Sequence, residues 1–390
     1  MLDWLIVGGG VHGTAISNHL LRRGRAAPDR IRVLDPHDEP LARWHACTRN
    51  TGMPFLRSPV AHHLDVQPAA LHHFAETEVP DHRFTRPYRR PSLDLFRRHC
   101  DAVIERNGLR PLRLRATATR LHARAAGLAV ETDAGAIEAR RVLLALGAGD
   151  QPYWPAWAAA SRRELAGAIH HVFDPAWELA RFANPGRTVV IGGGISAAQV
   201  AVALARRRSG PVALVMRHAP RVHQFDSDVC WIGEQCLRHF RRTHDMRHRR
   251  DIIRRARHRG SMPPDVHRQL IKDLGRGALC LLEAEVERAT PDPLGRGVLL
   301  HCPGRAPIAA DHVLLATGFD PRRPGGALVD HAIADLGLPV APCGYPVVDA
   351  ALHWGRGLHV TGPLAELEIG PVARNIIGAR LAGERLVRAP

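Results

Sequence analysis

Lysine is almost absent from this chain. Lys272 stands alone against 53 arginines, so the formal charge of +16 over 390 residues rests on one residue type spread widely. Such a skew reflects the nucleotide composition of a gene more than selection for phosphate contacts. Aromatic residues make up only 5% of the chain, and neither a reader helix nor a stacking sheet is discernible, so no nucleic-acid partner is expected. No membrane span is expected either. The most apolar stretch, residues 189–205, is 17 residues long and contains three consecutive glycines, Ser196 and Gln199, too short and too interrupted to cross a bilayer. The first strand starts at about residue 3, which on this reading leaves no room for a signal or transit peptide. The seven cysteines (Cys47, Cys100, Cys230, Cys236, Cys280, Cys302, Cys343) include no CxxC or CxxxxC pair. An odd, scattered set points to a reducing cytoplasm and removes the dithiol that a disulfide reductase needs. Histidine is plentiful at 25 residues, yet HExxH is absent and the pairs His62-His63, His72-His73 and His170-His171 are adjacent. Ligands on one face of a helix or strand need wider spacing, so no metal is expected.

What is present is a device used twice. Gly8-Gly9-Gly10-Val11-His12-Gly13 follows the apolar run Trp4–Val7, and about 180 residues later Gly192-Gly193-Gly194-Ile195-Ser196-Ala197 follows Thr188–Ile191. Strand, glycine turn and helix in that order form a dinucleotide-binding unit. Its glycines provide a tight turn, close approach to pyrophosphate and close passage of helix over strand, and the helix amides point at the phosphates. The helices are expected over 15–23 and 197–208. A second strand in the first unit, residues 30–34, ends in Asp35, where a carboxylate accepts hydrogen bonds from both ribose hydroxyls. FAD or NAD suits that end. The corresponding strand of the second unit ends in Met216-Arg217-His218 without an acid, and the Arg217 guanidinium suits a 2'-phosphate, hence NADPH.

The expected fold is α/β, with two Rossmann-like three-layer dinucleotide-binding domains, the second inserted into a discontinuous first. A chain of 390 residues exceeds one ordinary core. Residues 1–165 form the first part of the FAD domain, 175–320 the NADPH domain, and 321–390 return to the FAD domain. Residues 36–91 show few regular signals. A helix is expected over 92–107, then four short strands within 112–139, then apolar strands closing on Gly147 and Gly318. Residues 237–260 hold ten arginines and four histidines, read as a charged, solvated helical excursion in preference to a docking surface for an acidic partner.

Together these pieces resemble the two-dinucleotide-domain flavoproteins, and among them the flavin-containing and lysine/ornithine N-hydroxylating monooxygenases. The resemblance covers nearly the whole chain. It rests on the two glycine motifs, on Leu315-Ala316-Thr317-Gly318-Phe319 and on the terminal segment from Val360 through Gly362 to Asn375. It implies FAD at Gly8, Gly10, Gly13 and Asp35, with Gly147 and Gly362 nearby, and NADPH at Gly192, Gly194, Ser196, Arg217 and Gly318. Gly167 and His171 match a family linker fingerprint, but Leu165 and Pro175 depart from its Baeyer–Villiger version, which argues against ketone insertion.

The activity so implied is an FAD-dependent, NADPH-consuming monooxygenase, N-hydroxylating an amine with molecular oxygen through a C4a-hydroperoxyflavin. The alternative is a sulfur-oxygenating enzyme or an NAD(P)H:acceptor oxidoreductase on the same scaffold. In either case the cofactor carries the difficult chemistry. Residues 52–59 resemble the loop beside the isoalloxazine, which makes Arg57 and His63 the candidate catalytic, substrate-side residues. Asp226 and Asp228 are further candidates for an amino substrate. A helix over 362–375 is expected to aim amides at the flavin pyrimidine edge. Substrate identity is not readable, and homo-oligomerisation is left open.

Overall fold

The computed structural model describes residues 1–388 except 25, 80, 82, 181, 183–185, 208–210 and 294–296. The core of the first unit is a parallel sheet in the order Leu358–Val360, Gly135–Leu144, Leu2–Val7, Ile31–Asp35, Arg113–Arg115. Trp4, Leu5, Ile6 and Val7 are all buried, as a central parallel strand covered on both faces requires. The helices Val11–Arg22 and Ile376–Val387 pack on each other over this sheet. They approach closely because Gly383 lies against the His19 ring, where a Cβ would come within 2.7 Å.

The second unit is also a parallel sheet, ordered Cys280–Glu283, Val212–Met216, Thr188–Ile191, His312–Leu315, Ile169–His171. An antiparallel meander, Arg288–Pro291, Val298–His301 and Ile308–Ala310, precedes its closing strand. Because Leu358–Val360 joins the first sheet after the second is complete, the first unit is discontinuous and the second is inserted.

Local expectations fare unevenly. The helix Leu93–Arg106 is capped by Ser92, whose Oγ accepts from Leu95 N at 3.2 Å. The glycine-loop helices run Val11–Arg22 and Ile195–Arg207, each starting earlier than expected, and Arg208 lies outside the described residues. The expected strands at 136–139 and 141–147 are one element, Gly135–Leu144. Its first half pairs antiparallel with Gly127–Thr132 and its second half parallel with Leu2–Val7, so polar alternation and an apolar run share one strand. Residues 36–91 contain the helices Ala42–Thr51 and Ala70–Glu78. The first was invisible to an apolar period because its buried residues are Thr48, Asn50 and Thr51. The expected helix over 362–375 is corrected: two 3₁₀ turns, Gly362–Ala365 and Pro371–Arg374, flank a four-residue helical turn, Glu366–Ile369. Among the described residues no helix is long and apolar enough to cross a membrane.

Candidate functional site

Each glycine loop sits at the carboxyl end of the central strand of its sheet. In the first, Gly8 takes φ +110°, and a Cβ there would stand 2.6 Å from the carbonyl oxygen of Ala145. A Cβ on Gly13 would run into the Gly8 carbonyl. At Gly10 the Cβ direction meets no protein atom within 4 Å, which fits the position where backbone must approach a pyrophosphate. Asp35 Oδ2 accepts from Gly9 N at 2.5 Å and Oδ1 from His37 N at 2.9 Å. Arg113, from the neighbouring strand, lies over Gly9 and 3.6 Å from the Asp35 carboxylate. Gly147 lies in the turn that follows Ala145 and the Gly135–Leu144 strand.

His12 was not singled out in the sequence, although it stands inside the glycine motif. Its Nδ1 is 2.9 Å from the buried Thr361 Oγ1, and the ring lies 3.7 Å from where a Gly362 Cβ would stand. Burial lowers its pKa to about 4, against a smaller opposing effect of backbone hydrogen bonding at Asn375 and Arg374. A neutral imidazole therefore ties the first loop to the returning segment.

The second loop repeats the backbone plan. Gly192 takes φ +151° and abuts Ala316 O and the Ala197 methyl. Ser196 lies in the first turn of Ile195–Arg207, and Gly318, at φ +80°, accepts from Tyr153 N at 2.9 Å. Thr317 Oγ1 donates to Tyr153 O at 2.5 Å and lies 3.2 Å from His171 Nε2. Burial lowers the His171 pKa to about 4. Arg217 is largely exposed, with Glu285 3.9 Å away, while the His218 ring lies against Gly193 and Gly260.

Buried polar groups join the two units. Arg57 Nε donates to Gln224 O at 3.1 Å, and Nη2 lies within bonding distance of His223 O (2.8 Å), Phe225 O (2.6 Å) and Ser261 Oγ (2.9 Å). Burial pulls its pKa down to about 10. Asn50 Nδ2 donates to Val172 O and Trp177 O at 3.2 and 2.7 Å. Arg90, 1% exposed, pairs with Asp265 at 2.5 Å and donates to Leu56 O at 3.2 Å. No apolar pattern announced Asn50 or Arg90.

The substrate-side candidates already have partners within the protein. Arg57 has Nε and Nη2 engaged by residues 223–225 and by Ser261 of the opposite unit, which places it at the junction. His63 is 2% exposed, donates from Nε2 to Pro68 O at 2.9 Å and accepts at Nδ1 from Asp65 N at 3.2 Å. Both ring nitrogens are satisfied locally, and neither is left for a substrate. Asp226 is held by Arg257 Nη2 at 3.1 Å and Asn375 Nδ2 at 3.0 Å, and Asp228 lies 3.1 Å from His258 Nε2.

The arginine-rich stretch is not simply solvated. Arg249 and Arg250 are buried. Arg250 pairs with Glu366, itself 1% exposed and also bound by Arg374 at 2.7 Å, while Arg249 reaches Glu368 at 3.3 Å and Leu367 O at 2.9 Å. The helix Met246–Ala256, which carries both arginines, grips the returning segment of the first unit. Cys230 and Cys236 form a disulfide. Their spacing lies outside the CxxC and CxxxxC patterns, so the expected absence of a dithiol is corrected and the cysteine argument for a reducing compartment falls. A cavity of about 520 Å³, lined by Trp154, His170, Trp177 and Phe182, lies along the outer strand of the second sheet and not at either loop. Among the described residues no group of three or more His, Cys, Asp or Glu side chains could hold a metal.

The chain matches the model of the pyridine nucleotide-disulphide oxidoreductases over residues 2–355. It belongs to that family. The enzyme is thus an oxidoreductase, and its fold is shared with flavin monooxygenases. Ornithine hydroxylase from Pseudomonas aeruginosa is similar with a TM-score of 0.76 at 15% identity, covering 99% of this chain and 98% of that one. Ornithine N-hydroxylase from Kutzneria sp. 744, in a structure with reduced FAD, NADP+ and L-ornithine, gives 0.73 at 16%, covering 98% and 97%. Bacillithiol disulfide reductase from Staphylococcus aureus gives 0.62 at 13%, covering 99% and 97%. These likenesses carry the fold, which hosts both oxygenation and disulfide reduction. No curated protein matches the sequence.

Proposed function

We propose that this oxidoreductase is an FAD-dependent, NADPH-consuming monooxygenase that N-hydroxylates an amine with molecular oxygen. The observation that supports it is the pair of complete glycine loops, held in one relative setting by Arg57, Asn50 and Arg90. FAD is assigned to residues 1–165 and 321–390 and NADPH to 175–320. Gly8, Gly10 and Gly13 form the FAD cradle, Asp35 takes the ribose, and Gly147 and Gly362 border it. Gly192, Gly194, Ser196 and Gly318 form the NADPH cradle, with Arg217 and His218 at its ribose end.

When bound, FAD supplies hydride acceptance and oxygen activation. The chain's own residues supply the rest. The first turns of Val11–Arg22 and Ile195–Arg207 present amides to phosphate, and the junction fixes the angle between two cofactors and keeps water out.

Stopped-flow mixing tests the reading. The purified protein should carry about one FAD per chain, its flavin absorbance should bleach on anaerobic addition of NADPH, and one amine of a broad panel should give N-hydroxy product matching NADPH consumed. Peroxide alone across amines, sulfides and ketones would overturn it. The Cys230–Cys236 disulfide favours one second reading, an NAD(P)H:acceptor oxidoreductase. In that case NADPH would be consumed without oxygenated product while two thiols appear.

A further inference from the structure

The two loops share a register that identifies which residue of the second unit stands where Asp35 stands in the first. Val7 pairs with Leu34 and Gly8 N donates to Leu34 O at 2.8 Å; Ile191 pairs with Val215 and Gly192 N donates to Val215 O at 3.1 Å. Asp35 therefore aligns with Met216, and Met216 is 1% exposed inside the core. Arg217 is one place further and its side chain is 74% exposed. Beside the middle glycine the occupant is different again. Where a Cβ on Gly9 would meet Asp35 Oδ2 at 3.2 Å, a Cβ on Gly193 would meet the His218 ring, at 2.9 Å from Cε1 and 3.0 Å from Nε2. The same edge of that ring faces Gly260, with Nε2 3.6 Å from its Cβ position.

We infer that His218, rather than the exposed Arg217, is the residue that discriminates the 2'-phosphate of the nicotinamide cofactor. This deepens the NADPH assignment and rests on it. His218 Nδ1 is 2.8 Å from Ala219 O. A carbonyl only accepts, so Nδ1 carries the hydrogen and Nε2 is the variable nitrogen on the loop side. Without a proton, Nε2 accepts, and its partner is a 2'-hydroxyl. With a proton it donates, and a 2'-phosphate makes a charge-assisted bond. One side chain thus suits NADPH when protonated and tolerates NADH when neutral.

Calorimetric titration of the full-length, flavin-loaded protein with adenosine 2',5'-bisphosphate and with 5'-AMP separates the possibilities. At about pH 6 the bisphosphate should bind at least about tenfold tighter, and His218→Ala should remove about tenfold of that preference. Arg217→Ala should remove less. His218→Gln, which keeps a side-chain donor on the loop side, should retain more of the preference than His218→Ala. That variant also guards against a collapse of the loop in the alanine variant. Equal or greater loss in Arg217→Ala, or a preference in His218→Gln no greater than in His218→Ala, overturns the assignment of His218. Failure of the wild type to bind either nucleotide overturns the second loop as a dinucleotide site altogether, a result distinct from the others.

Discussion

In the first unit the groups around the middle glycine are a carboxylate and a guanidinium, Asp35 and Arg113 at Gly9; in the second, an imidazole, His218 at Gly193. Behind that difference the two units are alike. Each has a strand entering a positive-φ glycine, Gly8 or Gly192, that abuts the carbonyl of an alanine, Ala145 or Ala316. Each also has a Thr-Gly turn after another strand, Thr361-Gly362 and Thr317-Gly318, with a histidine against the threonine, the half-buried His12 or the buried His171. What is repeated fixes the course of the backbone, and what differs stands where a ligand's ribose would lie. Two dinucleotides can then be told apart by a few side chains on one scaffold.

The most severe way to break this parallel is at the end of the motif, where the first unit has Gly13 and the second Ala197. A methyl at Gly13 would enter the Gly8 carbonyl, whereas the Ala197 methyl already packs at 3.1 Å from the Gly192 Cβ position. Gly13→Ala should therefore abolish flavin retention, an overpacking cost of about 3 kcal/mol or more concentrated at the loop. The flavin-to-protein absorbance ratio after desalting checks it, with circular dichroism confirming a folded chain. Retained yellow colour would show that the helix can shift.

Next in size is the junction that sets one unit against the other. Arg57→Ala removes one donor set from three carbonyls and the Ser261 hydroxyl; these acceptors are exposed or part-buried, so water can replace the donor and the stability cost falls below the about 1–3 kcal/mol of a fully buried orphan. Flavin content should be unchanged, and the anaerobic rate of flavin reduction by NADPH should drop at least about tenfold, since misplacement on the scale of 1 Å is enough. Arg57→Lys should not restore it, because an ammonium cannot reproduce the planar fork. An unchanged rate would show that the setting of the units is held elsewhere.

The repeated strands and loops were legible because their signals are local: an apolar run entering glycines, with a turn or helix after it. The closing turns at Gly147 and Gly318 were legible for the same reason. The partners of Arg57 and His63 were not legible, because proximity in sequence to a loop says nothing about where a side chain's hydrogen bonds go: Arg57 bonds carbonyls and Ser261 of the opposite unit, and His63 the backbone of its own. The arginine-rich stretch was misread in part because its partners, Glu366 and Glu368, lie more than a hundred residues away. His12 was hidden in plain sight, since the motif constrains its neighbours by size and its own partner, Thr361, arrives only with the returning chain.

The mildest test uses acid to ask which unit yields first. Burial lowers the pKa of His45, His62 and His359 to about 4 and of His99 to about 3, all in the first unit, in addition to His12. Among the described histidines of the second unit, His171 has a comparable value, about 4, and His312 is lowered. In each case burial disfavours the charged ring. The unfolded chain takes up a proton near pH 6.5 and the folded one not until about pH 4, so stability is complete above pH 6.5 and falls as the pH drops through that window. At pH 5.5 the loss is about 1.4 kcal/mol for each of the well-buried groups, and less for the half-exposed His45, whose shift solvent screens. With five of these groups against one, flavin release should precede loss of the second unit's structure on acidification. Flavin fluorescence recovery and the emission of Trp154 and Trp177, which stand beside the second sheet, follow the two events separately. His12→Gln should flatten the pH dependence of flavin release, and His171→Gln should flatten that of the tryptophan signal. Coincident midpoints unmoved by either variant would show that the two units unfold as one and that their histidines do not distinguish them.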